Sequence, residues 1–299
     1  MKKLNLKFLK REKKMKGKSG KRLNRSLYGD IILFTFLFIF GLFSAWPMIF
    51  VINNAFKPLN EILLFPPKLF VKNPTFDNFR DMFVLMNNSW VPFSRYLFNT
   101  LFITIVGTVG SVFISSLAAF PLAKYNFPGS KLMSKMIVYS LMFSSAVTGI
   151  PSYIIISRLQ MLDTFWAILI PTFGTTLGLY LMQNFMSQIP TDLIESAKMD
   201  GAGEFKIYWK IIMPLARPAW LTLVILQFQN LWGNTGGTYI YEEKLKPLSY
   251  ALSQIVNAGV ARTGVAAAVT LLMLVVPLSV FIISQSNVIE TMATSGIKE

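Results

Sequence analysis

Long apolar runs separated by short polar segments dominate the chain. A helix needs about 20 apolar residues to cross the hydrocarbon core of a bilayer. Six stretches approach or exceed that length, at about 31–53, 97–123, 132–157, 164–186, 218–235 and 265–286. The fifth is the weakest, because Gln227, Gln229, Asn230 and Asn234 dilute its second half. Pro47, Pro151, Pro171 and Pro277 fall in or beside these runs, where neighbouring helices can satisfy the backbone groups that proline frees. The pattern predicts an all-α integral membrane protein with six transmembrane helices. It divides into a basic tail over 1–29, a transmembrane domain over 30–290 and a short tail over 291–299.

A polar island interrupts the apolar pattern between the fourth and fifth spans, over 187–217. Its core reads ESAKMDGAGEFKIYWKIIMPLARP from Glu195 to Pro218. Two short helices are predicted there. Asp192 is placed to cap the first, with Glu195 three residues later as its capping-box partner. Leu193, Ile194 and Ala197 give that helix an apolar side, and Gly201 and Gly203 end it. The second, about Glu204 to Met213, carries Phe205, Tyr208, Trp209 and Ile212 before Pro214 stops it.

Composition agrees with a membrane domain. The chain is 53% hydrophobic and 14% charged, against about 25% charged for a soluble domain. It has no cysteine and no histidine, which excludes disulfides and removes the commonest metal ligand and general base. No metal site is expected, and the spans lack the paired carboxylates an intramembrane enzyme would need.

The net charge of +15 sits mainly beside the first span, where residues 1–29 hold 12 of the 29 Lys and Arg residues. Such a cluster sets orientation and attracts anionic lipid, so no nucleic-acid partner is inferred. With the N-terminus inside, inner segments carry 20 Lys and Arg residues against 9 outside. This orientation places both termini and the 187–217 island in the cytoplasm. Gly17-Lys18-Ser19 lacks the upstream glycine and strand of a phosphate-binding loop. The apolar run from Ile31 is too long for a signal-peptide core and reads as a retained span.

Glu195-Ser196-Ala197, Gly201, Ile211 and Met213-Pro214 resemble the EAA motif of binding-protein-dependent ABC importers, with Ser196 and Met213 as mild departures. Phe56-Lys57-Pro58, Pro74-Thr75-Phe76-Asp77-Asn78-Phe79, Asn99-Thr100-Leu101, Phe127-Pro128-Gly129 and Leu162-Asp163-Thr164-Phe165-Trp166-Ala167 are similar, in order, to segments of the maltose-permease-like subgroup. The resemblance covers about residues 30–297 and implies the second, six-span permease subunit of a carbohydrate importer in a bacterial plasma membrane. Its partners would be a homologous permease, two ATPase subunits that bind ATP and Mg, and an extracytoplasmic substrate-binding protein. The island would then be a coupling loop docking on an ATPase subunit through Glu195, Ser196, Ala197, Asp200, Gly201, Ile211 and Pro214. This chain would carry no cofactor and would not be an enzyme.

The residues add two candidate surfaces. Gln227, Asn230 and Asn234 follow i, i+3, i+7 spacing and, with Trp232, are candidates for lining the translocation path; interhelical hydrogen bonding accounts for them equally well. In the outer 236–264 loop, which also carries a short amphipathic helix at Ser249–Val256, Tyr239, Tyr241, Glu242 and Glu243 are candidate contacts for the binding protein. Gly174-x-x-x-Gly178 in the fourth span reads as a site of close helix approach. No ionisable residue lies at the centre of a span, so the energy source is expected in a partner. The alternatives are an ABC permease for a non-sugar solute and an ATP-independent secondary transporter.

Overall fold

The structure, a computed structural model, describes residues 27–66, 68–87, 91–143, 145–257, 259 and 262–295. Most of the basic tail and the last four residues lie outside them. Among the described residues the chain is helical and contains no strand: α1 Leu27–Phe56, α2 Leu59–Ile62, α3 Asp77–Asn87, α4 Phe93–Lys124, α5 Ser130–Ser140, α6 Ser145–Arg158, α7 Trp166–Phe173, α8 Thr176–Ser187, α9 Asp192–Met199, α10 Glu204–Ile207, α11 Met213–Leu215, α12 Arg217–Trp232, α13 Leu248–Val256 and α14 Thr263–Ser295. Contacts divide the chain into a unit up to Phe50 and a second from Val51. The first contains most of α1, whose described side chains are exposed almost throughout, as suits a helix made for lipid.

In the second unit α4 is the central element, packed on α7, α8 and α12. Its buried face is mostly polar or small, with Tyr96, Ile103 and Phe120 as the large residues on it. Asn99, Thr100, Thr104, Gly107, Thr108, Ser111, Ser115 and Ser116 face inward, while Phe98, Leu101, Ile105, Val109, Phe113 and Leu117 face outward. Lipid tails are as apolar as leucine, so the large aliphatics gain nothing by leaving them. Small residues instead let helices approach and gain dispersion contact. Gly110 shows how close: a Cβ there would lie 2.2 Å from the Phe173 ring of α7. Gly178 of α8 meets Ser115 of α4 and Leu223 of α12 in the same way. Gly174 instead ends α7 and is exposed, so only one glycine of the predicted pair serves close packing.

Among the described residues three helices are long and apolar enough to span, Tyr28–Phe56, Phe93–Lys124 and Thr263–Gln285, and a fourth candidate is the pair Glu204–Leu215 and Arg217–Trp232, bent by 76°. The third and fourth expected spans are each two shorter helices. The third breaks at Leu141–Phe143, between α5 and α6, and the fourth at Gly174–Thr175, between α7 and α8. Apolar periodicity carries no record of such breaks, because both halves remain lipid-compatible. The last helix runs on to Ser295, into the predicted C-terminal tail.

The segment between α1 and α4 is held by side chains where it is described. Asn78 donates through Nδ2 to the carbonyls of Ala55, at 2.9 Å, and Lys57, at 2.7 Å, satisfying groups at the end of α1. Gly264 leaves room for that amide. Glu61 accepts the N–H of Lys72 at 3.1 Å and of Asn73 at 3.0 Å, and the Lys72 bond in particular holds its carboxyl below the usual range. Buried Lys57 donates to Asn54 Oδ1 and to the carbonyl of Lys68.

Candidate coupling site and translocation path

The polar island folds as two short helices around a glycine turn. α9 begins at Asp192 with Thr191 as N-cap, and no side chain caps it. The predicted Asp192–Glu195 capping box is therefore not formed. Asp192 is already helical, so its backbone cannot take the extended conformation a capping residue needs. Its carboxylate lies in the first turn, where the helix dipole favours negative charge. The predicted end is found. Gly201 has φ +76°, its N–H bonds the carbonyl of Lys198 at 3.0 Å, and the Ala202 N–H bonds that of Ala197 at 2.9 Å. This is a Schellman closure, and it needs the left-handed conformation that glycine adopts without strain.

Ile194 and Ala197 of α9 bury into a cluster with Met182, Met186, Ile189, Ile207, Tyr208 and Ile212. Glu195, Ser196, Asp200 and Gly201 are exposed on the other side, with Leu193 and Met199. The motif thus splits by burial: Ala197 is a packing position, and Glu195, Ser196, Asp200 and Gly201 form an outward surface of mixed acidic and apolar character.

The second helix does not stop at Pro214. After α10 the backbone widens into a π turn over Tyr208–Ile212 and continues as α11, through Pro214, to Leu215. The Met213 N–H bonds the carbonyl of Tyr208, five residues back. A proline clashes with the carbonyl four residues earlier and donates no bond, and the wider turn just before it accommodates both effects. The chain then bends by 76° into α12. Ile211 is half-buried and Pro214 exposed.

α4 joins this site to the opposite end of the fold. At its C-terminal end Lys124 donates to the carbonyls of Ser187 and Ile189, just before α9. Deeper in, buried Ser116 and Tyr208 share a hydroxyl bond of 2.6 Å. At its N-terminal end the Asn99 amide donates to the carbonyls of Lys244 and Lys246, at 2.9 Å each, and the Tyr96 hydroxyl donates to Glu243 at 2.5 Å. Glu243 is therefore engaged inside the fold. Thirty-two residues separate the two ends of the helix by about 48 Å.

The remaining candidates of the 236–264 loop form one cluster with Tyr153 and Asp163, two residues that sequence reasoning did not place at a site. Tyr241 and Glu242 are exposed, and their N–H groups both bond Asp163, the latter at 2.9 Å. Those bonds, that of Glu242 foremost, lower the Asp163 pKa. The Tyr153 ring stacks on Tyr239 with centroids 6.4 Å apart, and its hydroxyl is 3.1 Å from that of Tyr241. In sequence Asp163 reads as an ionisable residue at a span boundary and as part of a resemblance, and nothing local marks Tyr153.

The candidate path residues do not share one environment. Gln227 is buried. Asn230, with Gln229, is exposed on α12. Buried Trp232 donates its indole N–H to the carbonyl of Met273 in α14 at 3.2 Å and stacks on Phe228. Asn234 lies beyond the helix, where its Oδ1 accepts the Gly236 N–H at 2.7 Å. Helical spacing no longer applies to Asn234, because α12 ends at Trp232.

A likeness to known transporters agrees with this architecture. Residues 111–290 match the family described as binding-protein-dependent transport system inner membrane component. The polygalacturonan/rhamnogalacturonan transport system permease protein YtcP of Bacillus subtilis is 31% identical, over 76% of this chain and 78% of its own. The trehalose transport system permease protein SugB of Mycobacterium tuberculosis is 31% identical, over 64% and 68%. Among solved structures, a bacterial ABC transporter involved in the import of the acidic polysaccharide alginate superposes with a TM-score of 0.75 at 22% identity, over 88% of this chain and 98% of that one. A long helix with a buried polar face, an exposed short helix on a Schellman turn at one end and the sequence match over 111–290 converge: this chain is a transport permease, not an enzyme, and belongs to the family of binding-protein-dependent transport system inner membrane components.

Proposed function

We propose that this chain is one permease subunit of a bacterial ATP-driven importer for sugars or oligosaccharides. It spans the plasma membrane six times with both termini in the cytoplasm. It pairs with a homologous permease, two ATPase subunits that bind ATP and Mg, and an extracytoplasmic substrate-binding protein. The observation that carries this reading is the exposed face of α9, with Glu195, Ser196, Asp200 and Gly201 presented on a helix whose other side is anchored in the core. An ATPase subunit is the partner that face fits, and Glu195 is placed to accept charge-assisted hydrogen bonds from it. The relatives named for polygalacturonan/rhamnogalacturonan and trehalose transport support a sugar as the solute.

Gln229 and Asn230 of α12 are the best supported path residues. They are exposed on a largely apolar helix, and an amide facing lipid has no hydrogen-bond partner. A water-filled path against the second permease provides partners. The cluster of Tyr153, Tyr239, Tyr241 and Glu242 at the far end of α4 is the proposed docking surface for the binding protein.

The test is co-purification of the detergent-solubilised chain with its neighbouring gene products. Glu195→Arg is the cleaner probe, because Glu195 is exposed, whereas any side chain at Gly201 is strained by its positive φ. Wild type retaining an ATPase subunit that a folded Glu195→Arg chain loses is the expected result. Solute transport by the chain alone in liposomes would sink the reading.

A further inference from the structure

Three side chains tie the two helices of the candidate coupling site to the C-terminal end of α4. Lys198 in the last turn of α9 pairs with Glu204, the first residue of α10, at 2.8 Å. The other Glu204 oxygen accepts the Tyr125 hydroxyl. Tyr125 is the residue that ends α4. Its ring lies under the same lysine, with Nζ 4.9 Å from the centroid, and stands edge-on to buried Phe120 at 5.6 Å. The contacts reinforce one another electrostatically: Lys198 and then Tyr125 lower the Glu204 pKa, and Glu204 and then Tyr125 raise that of Lys198.

The position of this cluster is what matters. Between Lys198 and Glu204 lies the Asp200–Gly203 turn, whose Gly201 and Gly203 are the flexible points of the segment. A hinge between α9 and α10 would absorb any push applied to α9. The Lys198–Glu204 pair bridges that hinge from side to side, and Tyr125 fixes the bridge to α4. The two charged side chains are roughly half exposed, so the pair adds little to folding stability. Its consequence is geometric.

We propose that Tyr125, Lys198 and Glu204 form a latch that makes α9, α10 and the C-terminal end of α4 move as one body, so that a displacement delivered to α9 reaches the transmembrane helix. They are positioning residues for coupling, and the inference rests on the coupling reading above. Unlike the outward face of α9, the latch acts through contacts made within the chain.

The experiment uses the complete importer in proteoliposomes, with solute uptake and ATP hydrolysis measured separately. Glu204→Gln, Lys198→Met and Tyr125→Phe are each expected to lower solute moved per ATP hydrolysed by about five-fold, the population change at the upper end of what a part-exposed pair supplies, with the ATPase subunits still bound. The exchange Lys198→Glu with Glu204→Lys is expected to recover most of the ratio. An unchanged ratio in the single variants overturns the latch, as does an exchange no better than either single or release of the ATPase subunits by any of them. Glu195→Arg in parallel separates the two claims. If it uncouples and the latch variants do not, only the latch fails. If wild type holds no ATPase subunit, the coupling reading fails instead.

Discussion

The hydroxyl bond between Ser116 and Tyr208 gives a sharp energetic prediction, because its two partners are not equivalent. Both residues are almost fully buried. Ser116 Oγ already donates to the carbonyl of Phe113 at 2.9 Å, so its single proton is used. The Tyr208 hydroxyl must therefore be the donor in the 2.6 Å contact. Tyr208→Phe removes that bond but leaves Ser116 satisfied, at a cost of about 0.5–1.5 kcal/mol. Ser116→Ala leaves a tyrosine hydroxyl buried without an acceptor, at about 1–3 kcal/mol. The double variant removes the orphan as well and should fall back towards Tyr208→Phe, a non-additive result expected of partners in contact. Thermal unfolding of the purified chain in detergent reads the order of the three losses, as shifts of the midpoint. A Tyr208→Phe loss equal to or larger than that of Ser116→Ala, or strictly additive losses in the double variant, would refute the reasoning.

Gly110→Ala places a methyl 2.2 Å from the Phe173 ring and should destabilise by about 1–3 kcal/mol; combining it with Phe173→Leu should restore part of the midpoint in the same unfolding assay. Gly264→Ala puts a carbon 2.2 Å from Asn78 Oδ1 and should release the bonds that Asn78 makes to Ala55 and Lys57, seen as faster proteolysis of the segment after α1. Asp163 has its pKa lowered by the N–H groups of Glu242 and Tyr241, so its anchoring is fully present above the ordinary aspartate value of about 3.9 and is lost as pH falls through the lower folded value. Hydrogen exchange at the Tyr241 and Glu242 amides should therefore accelerate only in strong acid. Asp163→Asn should abolish that pH dependence, and an unchanged acid profile in the variant would rule out Asp163 as its source.

The sequence by itself determined the class of the molecule and the position of its polar island. Lipid-compatible runs are a local property, legible one residue at a time, and so is the spacing of Glu195, Ala197, Gly201 and Pro214. The Gly201 turn was legible for the same reason, since a left-handed residue after a helix has a strong local signature. Only the tertiary structure decided which side of each helix is inward. In α4 the buried face is mostly the hydroxyl and glycine face, a choice set by packing against α7, α8 and α12 in a medium where apolarity does not discriminate. The breaks at Leu141–Phe143 and Gly174–Thr175 escaped for the same reason. Helical spacing placed Asn234 with Gln227, but the end of α12 put it in a turn. The latch of Tyr125, Lys198 and Glu204 was out of reach of any pattern, because Glu204 lies 79 residues from Tyr125, and no local rule relates the end of one helix to a loop that returns to it through the fold.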